Sequence, residues 1–461
     1  MESLALFWWF FMEKETQQLW TQPIGKLLLT QSAPAVIGML VLALYNFIDS
    51  IFIGQYVGME GLAAASVVFP IQMILWAFAM AFGIGTASLI SRLIGAKEYE
   101  RVWQVFGTFQ VLTLSFVAIL SSVSLFFVPQ ILELFGATPE ILGLSRSYLI
   151  PLLIGSVFLW FSMSNNNIIR SVGHAKVSMK IMLTSAITNL ILDFIFMGCL
   201  GRRMAGAAWA TVISWMVSCG IMIFYYQSTK NVISIAWMHF RLRFQEAREI
   251  ILIGIPTLFR QIVGSLTTVL INNYLKTYGG TEAIAIYGIV NKILQLYMMP
   301  MFGIVQGMQP IIGYNYGAQN LIRVKKVVLL GIQILTLFTG AISVIYWIYP
   351  SFLVPFFSSD PELIQKTEVV MRIVVACFVV VGFQIVSSSM YQALWMVKKA
   401  FILALLRQLI LFLPVFFLLV WLREDKLQAI WLSFPVTDVL GVIVTALIFL
   451  PDYSKLSQAK N

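Results

Sequence analysis

The chain is poor in charge, in cysteine and in histidine, and each scarcity narrows what it can be. Only 11% of its 461 residues are Asp, Glu, Lys or Arg, under half of the roughly 25% of a soluble domain. That composition excludes an ordinary water-soluble fold. Three cysteines, Cys199, Cys219 and Cys377, form no CxxC, so neither a disulfide framework nor a metal site is expected. The two histidines, His174 and His239, fall in connecting segments and read as solvated loop residues. No zinc-ligand pattern, nucleophile motif or phosphate loop is present, which counts against an enzyme and against a bound cofactor. The alternating segments of roughly ten residues that mark a transmembrane barrel are also missing.

What is abundant is apolar sequence: 60% hydrophobic residues and a mean hydropathy of +0.89. Runs near the ~20 residues a helix needs to cross a bilayer recur along the chain. They predict an all-α membrane protein with twelve transmembrane helices, at 27–55, 62–91, 102–128, 147–169, 177–199, 205–226, 248–275, 282–312, 325–349, 367–394, 400–422 and 428–449. "VGMEG", "FGATPE", "SSDPE" and "YNYGAQN" supply turns between them. The longest polar connection, "YYQSTKNVISIAWMHFRLRFQEARE", lies near the middle. The expected organisation is an interfacial or cytoplasmic N-terminus (1–26), a first lobe (27–226), a cytoplasmic linker (227–247), a second lobe (248–449) and a cytoplasmic tail (450–461).

The start, "MESLALFWWFFMEKE", is not a signal peptide: its apolar core is short and Glu2 stands where a basic region should be. Its aromatic run suits a membrane interface; translation from Met12 is an equally simple reading. The net charge of +10 is spread over short loops, which fits a membrane protein and not a nucleic-acid binder. With the N-terminus inside, the cytoplasmic segments hold 19 Lys and Arg and the outer segments 7. The positive-inside rule therefore places both termini in the cytoplasm.

Shifted by 222 residues, the sequence matches itself without a gap. Pro34 falls on Pro256, Tyr56 on Tyr278, Gly58 on Gly280, Glu60 on Glu282 and Gly85 on Gly307. "GAKEYERV" falls on "GAQNLIRV", Pro139-Glu140 on Pro361-Glu362, Lys176 on Lys398 and Trp209 on Trp431. Six helices per half return the chain to the same side. The repeats are therefore parallel, related by a pseudo-two-fold along the membrane normal, and two such bundles suit alternating access around a central cavity. Duplication in a scaffold or receptor is the competing reading.

Against this apolar background the acids stand out. At 1.5 Å per residue, Asp49 of span one lies ~22 Å from the inner face, Asn189 and Asp193 of span five ~18 and ~24 Å. Thr211 of span six lies ~9 Å from the outer face. In a core of ~30 Å all four reach similar depth, and Asn189 and Asp193 share a helix face. Carboxylates, an amide carbonyl and a hydroxyl are oxygen ligands for a hard cation. Two carboxylates in a dry site cannot both stay ionised cheaply, so the pair holds a proton or a cation such as Na⁺. By the 222-residue shift their second-half equivalents are Ile271, Leu411 and Val415. The scaffold does not need the acids; interior carboxyls that lock helix packing remain the structural alternative.

The second half has its own intramembrane charges, Arg260, Lys292, Arg407 and Asp438, with Arg372 at the outer mouth. Depth allows Arg407 or Arg260 to pair with Asp438, either as a structural ion pair or as a cavity wall that tunes substrate charge. In "SMSNNNIIRS" the three asparagines read as a helix end, with Asn166 a candidate substrate contact. Tyr45, Met182 and Arg260 are further candidates for the cavity lining, and Met suits an adaptable one.

"YNFIDSIFIGQYVG", "SRLIGAKEYERV", "TNLILDFIFM", "AGAAWATVIS" and "QPIIGYNYGAQN" together resemble the MATE family, the multidrug and toxic compound extrusion transporters, over nearly the whole chain. The resemblance implies an antiporter that exports organic, often cationic and amphipathic, compounds against H⁺ or Na⁺ influx. Its partners would be small molecules and the lipid bilayer, and it would act as a monomer. The family's cation site maps onto Asp49, Asn189, Asp193 and Thr211, and its span-one proline onto Pro34, a bending point or a first-turn proline. The acids that the NorM-like branch carries in its second half have no counterpart here, which points to a DinF-like or MepA-like bacterial branch. A lipid-linked precursor flippase of related fold is the runner-up, and a membrane enzyme comes after it.

Overall fold

Twelve helical passages make up the membrane-spanning part of the computed structural model, which describes residues 18–227, 233, 239–349, 353–357 and 360–458. The expected aromatic N-terminal run lies outside the described residues. Spans one to six are Ile24–Tyr56, Met59–Gly95, Tyr99–Phe126, Pro139–Ser171, Ala175–Cys199 and Arg203–Gln227. Spans seven and eight form one helical run, Phe244–Gly317, broken at Gly280, whose φ is 63°. Span nine is Leu321–Ile348, span eleven Val397–Leu422 and span twelve Lys426–Leu456. Span ten is the pair Pro361–Val375 and Phe378–Ala393, bent by 45°. A short helix, Val128–Leu134, between spans three and four was not anticipated. No strand occurs among the described residues.

The internal repeat is written in the backbone. Positive φ recurs at residues 222 apart: Gly58 and Gly280, Lys97 and Gln319, Gly173 and Trp395. The first pair makes the sharp reversal between paired spans, which needs a residue without Cβ.

The chain divides into two compact units, Met1–Gly254 and Ile255–Asn461, so the division falls inside span seven and not in the polar connection before it. Close approach explains why. A Cβ on Gly254 would stand 2.4 Å from the Ala81 carbonyl oxygen, and one on Gly85 would stand 2.2 Å from that of Ile250. Arg101 reinforces this contact, with Glu249 at 2.7 Å and Glu246 at 3.9 Å. His239 is half-buried: its ring lies against Trp103, and the segment after it is held by the Thr108 hydroxyl donating to the Arg241 carbonyl at 3.0 Å. His174 likewise is half-buried, its Nδ1 paired with the Tyr225 hydroxyl.

In the first unit the core centres on Trp160, Phe78, Phe82 and Phe116, with ring centroids 5.2–6.2 Å apart. Pro34 is buried ten residues into its helix. The first-turn alternative is thereby overturned: the proline removes an interior backbone donor and weakens the helix there. In the second unit the bend of span ten frees backbone carbonyls. Ser343 donates to that of Val375 at 3.0 Å and Thr339 to that of Val379 at 2.9 Å, which satisfies them where water is absent.

Spans five and eleven each contain a wide π-turn, at Phe194–Cys199 and Leu406–Ile410. The i→i+5 bonds are direct: Leu200 N–H to Ile195 O and Leu411 N–H to Leu406 O, both 2.9 Å. Such turns cluster at functional positions. One follows Asp193 immediately and the other carries Arg407.

Candidate functional site

Span one presents Tyr45 and Asp49 four residues apart, on one helix face. Asp49 is half-buried; the Tyr148 hydroxyl of span four donates to its Oδ2 over a long 3.5 Å, and its Oδ1 is buried with no hydrogen-bond partner. Span five brings Asn189 and Asp193, both buried, on a single face. Asp193 lies within electrostatic reach of Asp49, and Tyr45 and Tyr148 within reach of both carboxylates. Asp193 Oδ1 is also buried without a hydrogen-bond partner. Asn189 Nδ2 donates to Thr211 Oγ1 at 3.3 Å, and that hydroxyl donates to the Ala207 carbonyl at 3.0 Å.

The first unit therefore gathers Asp49, Asn189, Asp193 and Thr211 into one oxygen-lined site. Two buried carboxylate oxygens without donors are costly: an unpaired buried polar group costs roughly 1–3 kcal/mol, and more when charged. A proton or a small hard cation removes that cost, and every side-chain donor atom present suits one. Among the described residues no cluster of three or more His, Cys, Asp or Glu could hold a metal ion. Tyr148 was missed by sequence reasoning. The expected span began at 147 and put Tyr148 at its edge; the helix starts at Pro139 instead, nine residues before Tyr148, which carries that side chain ~13 Å along it.

Other candidates fall elsewhere. The three asparagines do not end span four, which runs on to Ser171. Asn165 accepts from Gln110 at 2.8 Å and from Tyr226 at 3.1 Å. Arg170, one of the 19 basic residues that the charge count assigns to cytoplasmic segments, is buried instead. Its Nη1 donates to Asn166 Oδ1 at 2.6 Å and to Ser178 Oγ at 3.0 Å, its Nη2 to Asn167 Oδ1 at 2.7 Å. Met182 Sδ lies 4.0 Å from the same guanidinium, in the space left by Gly38. In the second unit Asp438 has its partner: Arg407 Nε is 2.6 Å from Oδ1 and Nη2 3.4 Å from Oδ2. Arg260 is not part of that pair.

The chain is similar to known proteins over most of its length. The MatE family model matches residues 34–195 and 256–446. The chain is 30% identical over 402 residues to the multidrug export protein MepA of Staphylococcus aureus (strain NCTC 8325 / PS 47), covering 86% of this chain and 87% of that one. MepA of Staphylococcus saprophyticus is 28% identical over 390 residues, covering 84% and 85%. Among solved structures, the MATE multidrug transporter DinF-BH, solved as a ligand complex, shares 38% identity with a TM-score of 0.86, covering 94% of this chain and 96% of that one. A MATE crystal structure in the bent conformation shares 25% with a TM-score of 0.90, covering 97% and 99%.

Proposed function

The chain belongs to the MatE family, and we propose that it is a cation-coupled antiporter exporting organic, cationic or amphipathic compounds from a bacterial cytoplasm. It is a multi-pass membrane transporter related to export proteins, and the membrane-enzyme reading ends there. The observation that carries the coupling is the pair of buried, unpartnered carboxylate oxygens on Asp49 and Asp193. An incoming H⁺ or Na⁺ satisfies them and draws spans one and five together. Pro34 gives span one a weak point at which to yield. Cargo that prefers the cation-free arrangement is released when the cation binds, and by reciprocal linkage cargo lowers cation affinity by the same factor. The cytoplasmic placement of both termini and the monomeric state belong to the same reading.

The test is dye efflux from liposomes holding the purified protein, under imposed proton or sodium gradients. Wild type exports with one of the two gradients, and Asp49→Asn and Asp193→Asn lose the dependence. Full gradient-driven export in both variants refutes the mechanism.

A further inference from the structure

Arg260 is a cation inside a membrane span with nothing to neutralise it. Among the described residues it makes no ion pair and no hydrogen bond; its one contact of note is the ring of Phe302 on span eight, 5.8 Å from the guanidinium carbon. It does not face lipid. Thr257, Arg260, Gly264 and Thr267 fall at helical spacing on one face of span seven, and the others on that face pack inward. Thr257 accepts from Gln392 of span ten at 2.9 Å, Thr267 donates to the Gln408 carbonyl of span eleven at 3.1 Å, and a Cβ on Gly264 would touch Gln408. The opposite residues, Phe259, Ile262 and Leu266, are the exposed ones.

Phe302, Gln306 and Gln309 share a face of span eight, four and three residues apart. Phe302 meets Arg260, and Gln309 meets Gln392 at 3.3 Å. Between them Gln306 Oε1 is buried with no hydrogen-bond partner, as is Ser389 Oγ, one turn before Gln392 on span ten. An unneutralised guanidinium, an orphaned amide oxygen and an orphaned hydroxyl thus lie on spans seven, eight and ten, which the Arg260–Phe302, Gln309–Gln392 and Gln392–Thr257 contacts bring side by side.

The first unit answers the same problem differently. The 222-residue shift maps Arg260 onto Gly38, Gln392 onto Arg170 and Ser389 onto Asn167. There the arginine comes from span four and is capped by Asn166, Asn167 and Ser178. Arg260 has no such cap.

We propose that this cluster in the second unit is a receptor for an anionic group of the cargo. A carboxylate engages the Arg260 fork in the bidentate fashion that guanidinium geometry favours, and a neighbouring N–H or O–H of the same molecule donates to Gln306 Oε1. Arg260 is then a selectivity-determining residue, and the cargo it selects is amphipathic and carries a carboxylate beside its other groups. The inference rests on the export function proposed above but concerns binding in its own right.

Binding and export are therefore measured separately, with a xanthene dye bearing a free carboxylate and its ethyl ester as probes. Purified wild type binds the acid at least ~10-fold more tightly than the ester, the scale of one charge-assisted bidentate contact. Arg260→Gln brings acid binding down to that of the ester, Arg260→Lys keeps part of the preference, and Gln306→Leu weakens only dyes that carry the donor. Equal binding of acid and ester by wild type, or an equal loss of both in Arg260→Gln, overturns the proposal. A binding preference intact in a protein that exports neither dye counts against the export reading and leaves Arg260 its role.

Discussion

The two halves of the chain share a backbone and differ in what they do with charge. In the first, Asp49 and Asp193 lie within electrostatic reach of each other, and among the described residues neither has a Lys or Arg partner. In the second, Asp438 is matched by Arg407, and Gln384 donates to the Asp438 backbone carbonyl at 2.9 Å. The common scaffold shows through in small bonds. Thr211 donates to the Ala207 carbonyl at 3.0 Å, and 222 residues on Ser433 donates to that of Ala429 at 2.9 Å. A duplicated bundle folds with either arrangement, so the unpaired acids are an addition to the fold and not a condition of it.

The comparison breaks or sharpens under substitution, and the largest effect belongs to the paired half. Asp438→Asn strands Arg407 in the bilayer and lowers stability by about 3–5 kcal/mol, read as thermal unfolding in detergent; replacing both partners by leucine restores most of it. Loss of gradient coupling with normal stability in Asp438→Asn would instead make the second half a coupling site. Asp49→Asn and Asp193→Asn act with the opposite signature. Coupled export falls ~10–100-fold while the unfolding temperature holds or rises, because an unpaired buried charge is gone. Tyr148→Phe removes the hydroxyl aimed at Asp49 and weakens cation dependence by roughly 3–10-fold, in line with the about 0.5–1.5 kcal/mol of one ordinary hydrogen bond, as its 3.5 Å length suggests. The smallest change separates scaffold from site. Thr211→Ala and Ser433→Ala each cost about 0.5–1.5 kcal/mol of stability, but only Thr211→Ala raises the cation concentration for half-maximal export.

Span number, the repeat and the nearness of the acids were legible because hydropathy period and helical rise are local properties. Features decided by a neighbouring helix were not. Asn165, Asn166 and Asn167 carry a helix-ending signature, yet Gln110, Tyr226, Ser178 and Arg170 satisfy their amides and the helix continues. Depth left two partners open for Asp438, and only packing selected Arg407. The division at Gly254 follows from glycine contacts with span two, whereas the polar composition before it suggested an earlier boundary.

The π-turns of spans five and eleven sit at different heights, and this changes what equivalence means. Each wide turn consumes one extra residue, about 100° of helical phase. Between the two heights the helices are therefore out of step by one. Counting by 222 sets Asn189 and Asp193 against Leu411 and Val415, but the side chains pointing the same way are Phe412 and Phe416, both buried and stacked at 5.6 Å. Two aromatic rings fill the place where the first half keeps its amide and its acid. Anyone grafting the ion site into the second half would put the new carboxylate at Phe416.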